Sequence, residues 1–259
     1  MREEDFLLHA FVFSVSGGYM NYIFNAEFIN ICYSFAYDQT KLYFEKYIVP
    51  IRNSAVDISL SKDEIDSNPY GFEYLDNDSY QEFRCLMVKT GNYLLSHSSC
   101  MFHGALIQWK DIGILFTAPS GTGKTSQYYL WKELETESVR IINGDKPILV
   151  YDGNKIIACS SPWNGKEQFG EPGISVPLKA IILLEQDDCN EIKFLSPSDA
   201  VVPLFEQFIA YPDNTDIIKH EAYFLDTMLE RVPVWKLTNR GDIESAILTR
   251  DTLEAYYGL

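Results

Sequence analysis

The stretch that decides the fold is residues 112–126, IGILFTAPSGTGKTS. Its first five residues are apolar and suit one buried β-strand. The turn-forming PSGTG at 119–123 then leads into a helical pattern that begins at Lys124 and ends near residue 134. Glycines in such a turn let successive backbone N–H groups point at phosphate oxygens, because no Cβ stands in the way, and the positive end of the helix dipole adds to the attraction. The stretch therefore predicts a strand, a phosphate-binding turn and a helix.

The turn is close to the P-loop, or Walker A, pattern G-x-x-x-x-G-K-[ST], in which lysine reaches the β- and γ-phosphates of ATP and a hydroxyl holds Mg²⁺. Lys124 and Thr125 occupy those two positions. The first position is Ala118, and a Cβ at a turn position that needs a positive φ costs roughly 1 kcal/mol. A purely structural glycine-rich turn is the alternative. The residues predicted to bind ATP and Mg²⁺ are Pro119, Ser120, Gly121, Thr122, Gly123, Lys124, Thr125 and Ser126.

The composition indicates a chain with a large core and limits the partners that it could bind. A hydrophobic content of 46% over 259 residues allows a large core. The formal net charge of −16 argues against binding to nucleic acid or to an anionic membrane, since both need a basic face. A basic or neutral partner such as a peptide or small protein suits this charge better, although the charge could also serve solubility alone. A homo-oligomer is compatible with the sequence, which leaves the oligomeric state open.

Location and redox chemistry follow from two further observations. No apolar run approaches the ~18 residues of a membrane span, and the N-terminus lacks the features of a signal peptide, so we expect a cytoplasmic protein. The five cysteines are scattered without a C-x-x-C pair, which argues against a disulfide framework or a zinc site and indicates buried free thiols.

The first third of the chain is predicted to be a β-rich domain, residues 1–75. Apolar or alternating runs at 6–15, 19–28, 31–37 and 56–60 favour strands. His9 stands alone among apolar neighbours and is interpreted as structural. The acidic, turn-forming composition of 61–78 is typical of a linker, so the second domain is predicted to cover residues 76–259.

The second domain is predicted to be α/β, with α+β character and a mixed sheet, because its strands arrive in runs and hairpins rather than in strict alternation with helices. Ser79 and Glu82 have the spacing of a capping box at the start of a helix that ends near residue 95. Ser196-Pro197 has the pattern of another helix start. Strands are predicted at 100–109, 112–116, 139–142, 147–151, 155–159, 178–185 and 232–237, and further helices at 196–208, 216–231 and 243–256.

Two groups flank the cradle, our name for residues 118–126, at positions where chemistry is expected. His103 lies on the strand that a tight turn joins to the cradle strand, so its imidazole could lie beside the γ-phosphate as acid, base or metal ligand. Asp145 ends an apolar strand, where a phosphoryl-transfer site needs a carboxylate that binds metal or takes a proton. A structural histidine and a turn-capping aspartate are the alternatives. In the loop 160–170, Lys166 and Glu167 could orient substrate or phosphate, or could simply be solvated.

Taken together, His103-Gly104, the cradle and INGD at 142–145 resemble the kinase domain of bacterial HPr kinase/phosphorylase, and are similar in order and spacing to the ATP-dependent phosphoenolpyruvate carboxykinases. SPWNGKE at 161–167 is most like the smaller HPr-kinase-like proteins associated with peptide natural-product and coenzyme gene clusters. The resemblance covers roughly residues 98–240.

The resemblance implies a mixed-sheet P-loop kinase core that transfers the γ-phosphoryl group of Mg²⁺–ATP to a serine hydroxyl. It gives catalytic roles to His103, Lys124 and Asp145, with Glu167 as a further candidate, and metal contacts to Thr125 and Asp145. Lys166 and Arg240 are the candidate substrate or phosphate contacts, and an exposed arginine on a turn is the favoured alternative for Arg240. Gly144 stands where the family has the first of two aspartates, which leaves the general base undecided. The family's C-terminal signature loop is not found, so HPr itself is poorly supported as the acceptor.

The sequence thus predicts an ATP-dependent serine kinase that acts on a peptide or small protein. Two alternatives remain open. One is a small-molecule kinase, for example acting on free serine, that uses the same site. The other is a non-catalytic nucleotide-binding scaffold of a biosynthetic complex, in which Gly144 marks a decayed active site. A carboxykinase is remote, because the chain is too short for that family's extra substrate domain.

Overall fold

Residues 21–26, 29–47, 56–73, 77–212 and 215–259 are described by a computed structural model. Contacts divide the chain into two units, Met1–Thr90 and Gly91–Leu259, and the division falls inside a helix. The domain boundary predicted between residues 75 and 76 stays a prediction. The strand predicted at 6–15, with His9, lies outside the described residues.

In the part of the first unit that the structure describes, three strands form a sheet. The strand β1 (Asn21–Ala26) pairs antiparallel with β2 (Ile29–Ser34), which pairs parallel with β3 (Val56–Ser59). Two 3₁₀ turns, Asp38–Tyr43 and Glu45–Tyr47, follow β2. The predicted strands at 31–37 and 56–60 are confirmed as β2 and β3, and β1 lies within the strand predicted at 19–28.

The stretch predicted as a linker, 61–78, contains a short helix, α1 (Lys62–Asp66). A capping box begins it. The Ser61 hydroxyl accepts the Glu64 N–H at 3.2 Å, and the Glu64 carboxylate accepts the Ser61 N–H at 2.7 Å. Two of the donors that a helix start leaves without partners are satisfied in this way.

The helix α2 (Asp78–Leu95) was predicted correctly, but the capping box assigned to Ser79 and Glu82 is wrong. The side chain of Asn77, just before the helix, accepts the Tyr80 N–H at 2.9 Å. Glu82 is buried, and its carboxylate faces the turn that follows β2 instead. Its carboxylate accepts the N–H groups of Ala36 and Tyr37 and the hydroxyl of Thr40, at 2.6, 3.1 and 2.6 Å.

Among the described residues of the second unit, nine strands form one mixed sheet, so the chain is a mixed α/β protein, as the sequence predicted. Seven strands lie in the order β4-β8-β9-β10-β6-β5-β7; β12 pairs with β10, and β11 pairs with β12. The strands are β4 (Ser99–Met101), β5 (Ala105–Trp109), β6 (Ile112–Thr117), β7 (Val139–Asn143), β8 (Ile148–Tyr151), β9 (Ile156–Cys159), β10 (Ser175–Gln186), β11 (Glu191–Phe194) and β12 (Val234–Asn239). The strand β11 was not predicted from the sequence.

Strand direction brings the ends of several strands to one edge of this sheet. The strands β6 and β12 both pair with β10 and run parallel to it. Because β5 is antiparallel to both β6 and β7, β7 runs in the same direction as β6. The carboxyl ends of these four strands therefore share an edge with the amino end of β5. Ligands of open α/β sheets bind at such an edge.

Besides the end of α2, four helices lie in the described part of the second unit: α3 (Lys124–Leu134), α4 (Pro197–Phe205), α5 (Thr215–Arg231) and α6 (Ile243–Tyr257). The bounds of α3 match the prediction. The Ser196 hydroxyl accepts the Asp199 N–H at 3.3 Å and Pro197 occupies the first turn, which confirms the predicted start of α4. The Gln127 side chain donates to Ser245 at 2.9 Å and ties α3 to α6.

Two further predictions concern the cysteines and membrane-spanning segments. All five cysteines are free thiols; Cys189 is exposed, whereas the other four are buried as expected. No helix among the described residues is both long and apolar enough to cross a membrane.

A close backbone approach in the second unit depends on Gly91. A Cβ built on Gly91 would lie 1.8 Å from the carbonyl oxygen of Ile209. The Ile209 backbone is itself fixed, because its N–H donates to the Met101 carbonyl at 2.9 Å. The segment around Ile209 cannot move away without losing that bond.

We expect the substitution Gly91→Ala to destabilise the protein. Alanine in a helix interior is favoured over glycine by about 1 kcal/mol, but overpacking against a fixed backbone costs about 3 kcal/mol. The net loss, about 2 kcal/mol, is measurable by urea unfolding. Gly153→Ala is the control, since a Cβ there meets no atom within 4 Å and only the positive φ opposes it. A Gly91→Ala protein as stable as wild type would contradict the close approach.

Candidate active site

The cradle joins the end of β6 to the start of α3 at the shared sheet edge. Gly121 and Gly123 have φ values of 84° and 99°, which side chains other than glycine rarely adopt. The N–H groups of Lys124, Thr125 and Ser126 lie in the first turn of α3 and have no acceptor within the helix. The loop thus presents backbone donors at the positive end of a helix, which is the arrangement that binds anions.

The strain expected at Ala118 does not occur. Ala118 is not among the residues with positive φ, and its side chain is fully buried with the apolar residues of β5, β6 and α3. The methyl group packs into the core rather than into the turn. A glycine is therefore not required at this position, and the departure from the usual motif has a structural reason.

Lys124 is buried, and its ammonium lies over the cradle. It donates to the carbonyl oxygens of Ala118 and Pro119 at 2.9 and 3.1 Å. Burial lowers the pKa of Lys124, the carboxylate of Asp145 opposes this shift, and the nearby ammonium of Lys146 adds to it. The lysine, the loop and Asp145 therefore share one electrostatic site.

Asp145 is positioned by its backbone and by the side chain of Asn143. The Asn143 oxygen accepts the N–H groups of Asp145 and Lys146 at 2.9 and 2.7 Å, and its amide donates to the Ser161 carbonyl at 3.0 Å. The Asp145 carbonyl accepts the Gly104 N–H at 2.8 Å. The tight turn at the end of β7 is thus held from two sides, which keeps the carboxylate at the sheet edge.

His103 lies just before β5, next to Asp145. Its Nε2 is 3.5 Å from Asp145 Oδ1, and its Nδ1 is 3.1 Å from the side-chain oxygen of Gln207. Burial lowers the pKa of His103, Lys124 and Lys146 lower it further, and Asp145 and Gln207 raise it. The prediction that His103 and Asp145 lie together beside the cradle lysine fits this geometry, although their catalytic roles stay predictions.

Sequence reasoning gave no role to two residues of the site, Lys146 and Gln207. The Lys146 ammonium contacts the Asp145 carboxylate, and its side chain is only 19% exposed. Lys146 could have been noticed because it follows Asp145 directly. Gln207 lies 104 residues from His103 in sequence and carries no local motif, so only the folded chain brings it to the site.

The loop 160–170 packs over the end of β7. Gly144 donates its N–H to the Phe169 carbonyl at 3.0 Å, and a Cβ on Gly144 would lie 2.9 Å from the Asn164 carbonyl oxygen. Position 144 therefore has no room for an aspartate side chain while this loop is in place. Lys166 and Glu167 are exposed on the same loop, and Trp163 is buried beneath it.

Arg240 lies on the turn after β12, at the same sheet edge as the cradle. It is exposed, and its guanidinium pairs with Asp242 at 2.8 Å. Its N–H donates to the Asn190 side chain at 2.9 Å. The predicted contact of Arg240 with phosphate stays a prediction. In the structure its guanidinium is paired with Asp242.

The donor set at the site suits Mg²⁺ bound together with phosphate. Among the described residues, no group of three or more His, Cys, Asp or Glu side chains could hold a metal ion by itself. Magnesium normally takes one or two carboxylates, retains waters and completes its shell with substrate phosphates. The carboxylate of Asp145 and the hydroxyl of Thr125 match this preference of magnesium better than they match the all-protein ligand sets of zinc or calcium sites.

No protein-family model matches the chain, and no curated protein matches it. Among solved structures it is similar to the HPr(Ser) kinase/phosphatase from Coxiella burnetii, with 14% sequence identity and a TM-score of 0.29. The match covers 50% of this chain and 97% of that chain. A likeness with so low a TM-score carries no argument about fold or activity.

The packing at Gly144 predicts a selective effect of Gly144→Ala. The added methyl group would push against the Asn164 carbonyl and loosen the loop 160–170, at a cost of about 1–3 kcal/mol. Because Lys166 lies in this loop, trypsin should cleave after it faster in Gly144→Ala than in the wild-type protein, which mass spectrometry of the fragments measures.

The control is Gly241→Ala, in which the new Cβ meets no atom within 4 Å. Its positive φ imposes backbone strain at a different loop. Equal cleavage after Lys166 in Gly144→Ala and the wild-type protein would show that the loop does not need the glycine.

Proposed function

We propose that the protein is an ATP- and Mg²⁺-dependent kinase with a P-loop core of the HPr kinase type, which transfers the γ-phosphoryl group to a serine hydroxyl of a peptide or small protein. One observation supports it above all. Lys124, His103 and Asp145 come from three separate segments, yet Asp145 lies 3.5 Å from His103, and its charge opposes the lowering of the Lys124 pKa by burial, beside a loop of backbone donors.

The roles of the residues follow from the chemistry of phosphoryl transfer. The acceptor oxygen bonds to the γ-phosphorus, the bond to the bridging oxygen breaks, ADP leaves, and the hydroxyl proton passes to a base. The protein mainly has to position the groups and offset negative charge. The cradle N–H groups and Lys124 would bind the β- and γ-phosphates, while Thr125 and Asp145 would hold Mg²⁺. The metal ion would neutralise charge on the phosphate oxygens.

The acceptor is proposed from charge and from the motifs. A net charge of −16 suits a basic or neutral peptide better than an acidic one. Lys166, Glu167 and Arg240, exposed at or near the sheet edge, are the proposed acceptor or phosphate contacts. We further propose a cytoplasmic protein without nucleic-acid or membrane partners. Residues 1–75 would form a separate β-rich domain, residues 76–259 would form the kinase domain, and the protein could self-associate.

Replacement of Lys124 is the direct test of the nucleotide site. We expect Lys124→Ala to lower the rate of phosphoryl transfer by roughly 100- to 1,000-fold, because it removes a buried donor from the developing charge. Lys132→Ala is the matched control, since Lys132 is an exposed lysine on the same helix. Wild-type transfer rates in Lys124→Ala, measured with γ-labelled ATP, would refute the site assignment.

The acceptor class needs a second experiment. Labelled ATP is incubated with the protein and either a serine-containing basic peptide, free serine or no acceptor, and both ADP and labelled product are measured. The proposal predicts acceptor-dependent ADP release with label on the peptide. Label on free serine alone would favour a small-molecule kinase. Tight ATP binding without acceptor-dependent ADP release would favour a non-catalytic scaffold.

A further inference from the structure

Gln207 is a buried residue that makes three contacts at the candidate site. Its side-chain nitrogen donates to the Pro203 carbonyl at 3.2 Å, and its side-chain oxygen lies 3.1 Å from His103 Nδ1. Its backbone carbonyl accepts the His103 N–H at 2.8 Å. Gln207 therefore holds both the backbone and the ring of His103.

The Pro203 contact fixes which end of the Gln207 amide faces the imidazole. A carbonyl oxygen only accepts hydrogen bonds, so the group next to Pro203 must be the amide NH₂. The opposite orientation would place two oxygens at 3.2 Å, which repel each other, and would lose the bond to Pro203. The side-chain oxygen of Gln207 therefore faces His103, and since that oxygen only accepts, the hydrogen must be on Nδ1.

We infer that Gln207 is a positioning residue that holds neutral His103 in the Nδ1–H tautomer, so that Nε2, on the side of Asp145, is the nitrogen without a hydrogen. No sequence motif pointed to this residue. The tautomer follows from the two Gln207 contacts. The Asp145 carboxylate also faces Nε2, at 3.5 Å, but among the described residues only Nδ1 of the ring makes a hydrogen bond. Its use in catalysis rests on the proposed function.

The backbone at His103 is held by several hydrogen bonds. Residues 101–103 and 207–209 pair like two short strands, with a bridge between Phe102 and Phe208 and a bond from the Ile209 N–H to the Met101 carbonyl. The Thr117 hydroxyl donates to the His103 carbonyl at 2.8 Å. With the backbone held on both sides, the contact with Gln207 decides how the imidazole is oriented.

In the proposed reaction this tautomer gives His103 a definite part. The acceptor oxygen would form its bond to the γ-phosphorus while its proton moves to the Nε2 lone pair, and the bridging oxygen would leave with its electron pair as ADP. The Nδ1–H bond to Gln207 would remain throughout. Asp145 would then be free to hold the metal ion, which separates the two roles that the sequence left combined.

Nitrogen-15 NMR of the full chain tests the tautomer without any substrate. Protein labelled at the ring nitrogens of its four histidines is measured at a pH of about 9, more than two units above the ordinary histidine pKa. The His103 signals are assigned by their loss in His103→Gln. We expect the wild-type His103 to show a protonated Nδ1 and an unprotonated Nε2.

Variants of Gln207 separate the proposed role from a merely structural one. Gln207→Met removes the acceptor and should shift His103 toward the Nε2–H form, whereas Gln207→Glu keeps an oxygen and should retain Nδ1–H. Gln108→Met is the control, because that amide bonds to Lys110 and Arg140 instead and should leave the His103 signals unchanged. In the transfer assay, Gln207→Met should lower kcat by roughly 10- to 100-fold with little change in the KM for ATP.

Two results would overturn the inference: an Nε2–H tautomer in the wild-type protein, or unchanged His103 signals in a folded Gln207→Met variant. If Gln207→Met does not fold, the wild-type spectrum still decides the question. If the wild-type protein binds no Mg²⁺–ATP, the proposed function fails, while the spectrum still tests the tautomer independently.

Discussion

The antiparallel pairing of β5 with both β6 and β7 is the constraint on which the candidate site depends. It makes β7 run alongside β6 and brings the start of β5 to the edge where both end. His103, Lys124 and Asp145 come from these three places, and the bond from the Gly104 N–H to the Asp145 carbonyl joins two of them directly. With any other strand direction, these residues would lie at opposite ends of the sheet.

Burial lowers the pKa values of Lys124 and His103 at this sheet edge. Lys124, Lys146 and His103 surround one carboxylate in a partly desolvated space, and burial together with mutual repulsion lowers the pKa of Lys124 and of His103. Asp145 offsets that repulsion. Polyanionic phosphate would offset it more strongly, so a surplus of positive groups around the carboxylate suits the electrostatics of a phosphoryl-transfer site.

Local signals explain what could be predicted from the sequence. The bounds of α3, the start of α4 and the hairpin of β5 and β6 follow from turn residues, caps and short apolar runs. Long-range contacts explain the failures. Glu82 has the spacing of a capping residue, but it binds backbone groups more than 40 residues away.

The residues of the candidate site also differ in whether a local motif identifies them. Its cradle, histidine and aspartate carry local motifs, whereas Gln207 reaches His103 only through tertiary pairing.

The proposed function requires that the cradle and Lys124 bind the terminal phosphates of a nucleotide, with Mg²⁺ at Asp145. The decisive experiment is a crystal structure with a non-hydrolysable ATP analogue and Mg²⁺. We expect phosphate oxygens at the N–H groups of the cradle and the metal ion at Thr125 and Asp145. A nucleotide bound elsewhere, or a cradle that stays closed on Lys124 at saturating nucleotide, would contradict it.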